Sequence, residues 1–180
     1  FSVQGQPEDY NVLLDSAKIL FKDEVHRNGA CKKMVSLLER SIELNPESSE
    51  ARYLLAYAYS RINSTDGRGI PGMNLNLVYK SSEQLEKVNE LTPLYTGEIL
   101  VLDPYSKLTS EWGSMAMSYL YNNKLDSAKW AFKEGVKHGG FGGFTLAFNR
   151  KTLDACSQNS ILISSGDMLI FPLLYLQIVE

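Results

Sequence analysis

The side chains of this 180-residue chain best equipped for chemistry are two histidines, His26 and His138, two cysteines, Cys31 and Cys156, and a scatter of carboxylates. A structural zinc site takes about four ligands at tight spacings. The cysteines lie far apart and neither belongs to a CxxC pair, so no metal or other cofactor is expected. They are either two buried or idle thiols or, in an exported protein, one long-range disulfide. His138-Gly139-Gly140 has the look of an oxyanion-hole strand, but a hydrolase also needs a nucleophile on a GxSxG elbow and a triad base. Ser165-Gly166-Asp167 lacks the flanking pattern, and the glycines after His138 read as a helix end. Glu39, Glu43, Glu47 and Glu50, interleaved with Arg40 and Arg52, have the spacing of a solvated helix face rather than of paired acid–base carboxylates. Gly67-Arg68-Gly69 lacks the rest of a phosphate loop. Asp167 follows an apolar run and precedes another. It is either a ligand contact of the kind found at strand–helix junctions or a helix cap. No catalytic residue is assigned, and the chain leans away from being an enzyme.

The elements that must carry these residues are helices. From Ser106 to Gly140, Trp112, Met115, Ala116 and Tyr119 share one helix face, Asn122-Asn123-Lys124 makes a turn, and Leu125, Ala128, Phe132 and Gly135 share a face of a second helix. Small residues in one helix let the other approach while bulky ones fill the flanking holes. Leu55, Ala56 and Tyr59 repeat the first-helix pattern within 48–62. Ser81, Leu85 and Val88 repeat the second within 77–91, closed by Pro93. At the front, Leu13, Ala17 and Leu20 pair with Met34, Leu38 and Ser41 ahead of Pro46.

Position by position, Trp112, Ala116, Tyr119, Ala128 and Phe132 resemble the tetratricopeptide repeat signature, with Gly135 and Gly140 in place of its second alanine and closing proline. The resemblance spans about Tyr10 to Gly140, roughly the three repeats that a solenoid needs. It implies a mainly α fold, an antiparallel helix-hairpin right-handed superhelix over residues 1–140. It also implies an interaction or scaffold module whose first helices line a concave groove for a protein or peptide partner. Counted from Ala56 and Ala116, the groove positions are Tyr53, Tyr57, Arg61, Met117 and Tyr121. Aromatic rings there give contact area at low entropic cost, and arginine clamps carboxylates. The alternative is that the tyrosines pack against the next repeat or the long 63–76 loop. Within that loop, 66–72 either folds over the groove as a lid or is a plain insertion.

After Gly140 the pattern changes. Ser160-Ile161-Leu162-Ile163-Ser164 reads as a buried strand, with 144–148 as its possible partner, and Met168 to Glu180 reads as an apolar helix with Pro172 in its first turn. Residues 141–180 are therefore expected to form a small strand–helix appendage, its strand pairing either with 144–148 or with partners past Glu180. Asn159, Ile161, Leu162, Gly166, Asp167, Phe171, Pro172, Leu173, Tyr175, Leu176 and Gln177 resemble a segment of bacterial membrane glycosyltransferase-like proteins. That resemblance implies a second reading, in which the repeats are accessory to a larger enzyme and the tail is its first βα unit. The segment departs from the family pattern at Met168-Leu169-Ile170, where further polar residues would stand.

With 44% hydrophobic and 22% charged residues the chain has globular composition, and its net charge of -3 comes without a basic face. Duplex nucleic acid, which demands clustered Lys and Arg, is not an expected partner. No segment has the ~20 apolar residues of a membrane span. The chain opens on Phe1. Removal of an export signal would leave such a start, as would an upstream stretch left out for another reason, and an exported, periplasmic or cell-envelope location is favoured over the cytoplasm.

Overall fold

Side-chain caps start the central helices. Ser48 accepts from the Ala51 amide at 3.1 Å and opens α3 (Ser49–Asn63). Asn74 accepts from the Asn76 amide at 2.9 Å and opens α4 (Leu75–Leu91). Asp103 accepts from the Tyr105 and Ser106 amides at 3.0 and 3.1 Å, with Pro104 at the first helical position, and opens α5 (Pro104–Tyr121). Each such bond satisfies amides that the helix itself leaves unpaired. The computed structural model describes residues 9–24, 30–64 and 68–180 and adds α1 (Tyr10–Glu24), α2 (Ala30–Leu44), α6 (Leu125–Lys137), α7 (Gly143–Asp154) and α8 (Asp167–Ile178).

Three helix hairpins stack in chain order. α1 packs on α2, α3 on α4 and α5 on α6, while α2 also meets α3 and α4 also meets α5. The α5–α6 hairpin has the geometry its residues call for. Trp112 and Phe132 are wholly buried, as are Ala116 and Ala128, and the connecting turn puts Asn123 at a φ of 56°, which asparagine tolerates. At Gly135 an added Cβ would lie 2.6 Å from Phe141 and 2.7 Å from Trp112, so the site of the expected alanine holds no side chain at all. In α1 the inward stripe is Leu14, Ala17 and Phe21, one position on from Leu13 and Leu20, which are only partly buried.

The expected C-terminal strand is overturned. Among the described residues there is no strand; Ile161 and Ile163 are 90% and 91% exposed, and 144–148 belong to α7. A strand needs a neighbour to take its amides and carbonyls. With the only nearby candidate wound into a helix, the 160–164 run stays unpaired. The appendage is instead the α7–α8 hairpin, whose α8 packs on α5 and α6. Phe171 lies against Gly113, where a Cβ would come within 2.2 Å of the ring. Pro172 sits in the second turn of α8 rather than the first. Lacking an N–H, it leaves the Met168 carbonyl without its helical donor. The buried Asn149 of α7 supplies one, donating to Met168 O at 3.1 Å.

Candidate binding site

Tyr53 and Tyr57, one turn apart on α3, are buried, and what buries them is the protein's own 92–103 connection. Their hydroxyls donate to the Leu102 carbonyl at 2.8 and 3.0 Å. They also accept from the Leu100 and Leu102 amides, at 3.0 and 2.7 Å respectively. Tyr95 of the same connection lies with its ring 4.8 Å from that of Tyr53. Burial raises the pKa of both hydroxyls above the ordinary phenol value, and at Tyr57 the neighbouring Tyr53 adds to the shift. The tyrosines thus pack on chain, as one expectation had it, but on 92–103 rather than on the 63–76 loop.

Beyond this clamp a cavity of about 330 Å3 opens between α3, α5 and the start of α8. Its polar lining includes Arg61 from α3, Lys107, Ser110 and Glu111 from α5, and Asp167 from α8, while Tyr57 and Phe171 contribute rings. Lys107 and Glu111 form an ion pair of 2.6 Å and are 10% and 2% exposed. Three partners surround the ammonium, since Lys107 also donates to Ser60 Oγ at 2.7 Å and lies 4.8 Å from the centre of the Tyr57 ring. Only one oxygen of Glu111 is used. Its Oε2 is buried and finds no donor among the described residues. Asp167 is the first residue of α8, not its cap, and accepts from Ser110 Oγ at 2.6 Å. Arg61 reaches the other way, its guanidinium 5.3 Å from the centre of the Phe21 ring.

The five groove positions therefore separate. Tyr57 and Arg61 line this cavity, and Tyr53 supports it from behind through Leu102. Met117 lines a different cavity, shared with Cys156 and Leu162, and Tyr121 is 63% exposed near the end of α5. The 66–72 segment divides as well. Asp66 and Gly67 lie outside the described residues, while Ile70, with Met73 just after the segment, forms part of the cavity wall and Pro71 accepts from Asn122 at 2.8 Å. Lys107, Ser110 and Glu111 went unread in the sequence, although Lys107 and Glu111, four apart just ahead of Trp112, are spaced as a helical ion pair.

Helices stacked in hairpins with small residues at the crossings are a geometry that several helical-repeat families share. Residues 37–67 match the tetratricopeptide repeat family model. The matched stretch runs from the second half of α2 through α3, so it contains Tyr53, Tyr57 and Arg61 and supports a tetratricopeptide repeat protein. Comparison with curated proteins and with solved structures gives no match. Nothing in these comparisons supports the likeness of 159–177 to glycosyltransferase-like proteins. The two cysteines are not bridged to each other; Cys31 is buried on α2, and Cys156 donates to the Thr152 carbonyl at 3.3 Å. Among the described residues, no helix is long and apolar enough to cross a membrane.

Proposed function

We propose that this chain is a peptide- or subunit-binding module that takes its partner at the cavity between α3, α5 and α8. The observation that carries the reading is the lining of that cavity. Four ionic side chains meet two aromatic rings there; Tyr57, Arg61, Lys107 and Glu111 stand on the first helices of consecutive hairpins, the face that tetratricopeptide-type arrays present to partners, and α8 adds Asp167 and Phe171. Tetratricopeptide repeats generally mediate protein–protein interaction. Tyr53 and Tyr57 fit the same reading, because their hydroxyls already bind main-chain amides and carbonyls of an irregular segment. A partner segment docking beside Leu102 would meet Arg61 and Asp167 at the rim and Tyr57 and Phe171 within.

Selection of a random-peptide library on the immobilised chain tests this. Peptides of shared pattern are expected, with capture weakened about tenfold or more by Arg61→Ala and by Asp167→Ala, the loss of one charged contact worth about 1.5–3 kcal/mol. Selection of no common pattern, or of one indifferent to both substitutions, would remove the reading.

A further inference from the structure

The cavity's unmatched valence says more about its occupant than its shape does. Its two cations have partners already: Lys107 has Glu111, Ser60 and the Tyr57 ring, and Arg61 lies over Phe21. What is left over is an acceptor. Glu111 Oε2 is buried without a donor, and a carboxylate sealed from water in that condition is costly. A carboxyl group turns readily about its last bond, so Glu111 can present this oxygen toward the space it lines. Asp167 faces the same space, held by Ser110, and as an anion it already matches the positive end of α8. An incoming anion would meet two carboxylates and no uncommitted cation. An incoming cationic donor would meet two carboxylates, serine hydroxyls and the faces of Tyr57 and Phe171. The remaining wall includes Ile70, Met73 and Val101, which suits a short hydrocarbon stem.

From this geometry we infer that the cavity is a primary-ammonium site, in which Glu111 and Asp167 receive an ammonium group carried on an apolar stem. The ammonium is either the end of a lysine side chain on a bound peptide or a free alkylamine. The inference takes its site from the peptide-binding reading but stands on the acceptor oxygen that Glu111 leaves unpaired beside Asp167.

The test titrates the isotope-labelled full chain with n-butylammonium and with 1-butanol, its neutral isostere, following the backbone amide signals of Ser110, Glu111, Ser114 and Asp167. Butylammonium is expected to give saturable shifts at these residues, with butanol at least tenfold weaker and Asp167→Asn and Glu111→Gln each reducing affinity about tenfold. Circular dichroism checks the fold of both variants. Should Glu111→Gln fail to fold, the butanol comparison and Asp167→Asn decide the matter. Equal affinity for amine and alcohol, shifts elsewhere on the chain, or an unchanged Asp167→Asn would overturn the inference. A second arm asks whether library-selected peptides share a lysine whose replacement by norleucine abolishes capture. Butylammonium binding without any peptide selected would assign the site to a free amine and remove the peptide reading. Peptides selected without a lysine requirement, together with silent butylammonium, would remove the ammonium site and leave the peptide reading standing.

Discussion

Tyr57 does two jobs with one hydroxyl and an aromatic face. The hydroxyl closes both polar groups of Leu102, and the ring lies beside the buried Lys107 ammonium. The bond to the Leu102 carbonyl depends on the phenol staying protonated, which fixes the sign of a pH effect. Burial, with Tyr53 adjacent, raises the Tyr57 pKa in the folded chain, and burial followed by the hydrogen bond to Glu39 raises that of Tyr59. In the unfolded chain these groups lose their protons near pH 10. The folded state therefore holds more protons above that value, and stability is complete below about pH 10 and falls as pH rises, by up to about 1.4 kcal/mol per pH unit for each retained proton. Thermal melting followed from neutral to strongly alkaline pH is expected to show this decline. Tyr57→Phe should lower stability at neutral pH by about 1–3 kcal/mol through the stranded Leu102 amide, the carbonyl keeping its bond from Tyr53, and should flatten the alkaline slope. A slope identical in the variant would mean that Tyr57 is not one of the groups responsible.

At the level of elements, the contact of α8 with α5 depends on an absent side chain. Gly113 leaves the space that the Phe171 ring fills, and a Cβ there would overlap Cγ and Cδ2 of the ring at 2.2 and 2.4 Å. Alanine in the middle of a helix ordinarily gains about 0.5–1 kcal/mol over glycine. Overpacking of about 1–3 kcal/mol opposes that gain here, because the overlap reaches Phe171 Cβ at 2.6 Å, an atom that no change of rotamer moves. Gly113→Ala is expected to be net destabilising in chemical denaturation, and its cost should be less than additive with that of Phe171→Ala, which removes Cγ and the ring. Because Asp167 stands at the start of α8, displaced packing of α8 would also misplace one wall of the cavity. A Gly113→Ala chain more stable than the parent would show that α8 is not held closely against α5.

In the whole molecule two apolar clusters share elements rather than meeting at a seam. One gathers Leu14, Phe21, Met34 and the buried face of α3, the other Trp112, Ala128, Phe132 and Phe171. α4 and α5 contribute to both, α4 through Leu85 and Val78 and α5 through Leu108 and Trp112. In a stack where each hairpin touches only its neighbours, the outermost elements open first. α1 packs principally on α2, and α7 on α8. Hydrogen exchange read by mass spectrometry is expected to show α1 and α7 exchanging before α3, α4 and α5, the last of these protected nearly to global unfolding. Protection of α1 equal to that of α5 would contradict this order.

Much of the helical repeat was legible in the residues, because helix periodicity, caps and large–small complementarity are local properties. Trp112, Ala116, Ala128 and Phe132 specify their hairpin within about one repeat length, and Ser48, Asn74 and Asp103 mark helix starts by chemistry confined to a single turn. The family match at 37–67 belongs to the same level. The candidate site was legible only in half. Tyr57 and Arg61 followed from helical spacing, and Asp167 stood out as a ligand contact or a cap, whereas Lys107 and Glu111 did not, since these residues come together only where α3, α5 and α8 cross. Residues 160–164 mark the opposite limit, a strand-like composition that forms no strand because pairing is decided by a neighbour and that neighbour went into α7. Position along a helix is a matter of short range and can be read from one segment. Which helices share a cavity, and whether an extended run finds a partner, are settled by packing between segments far apart in the chain.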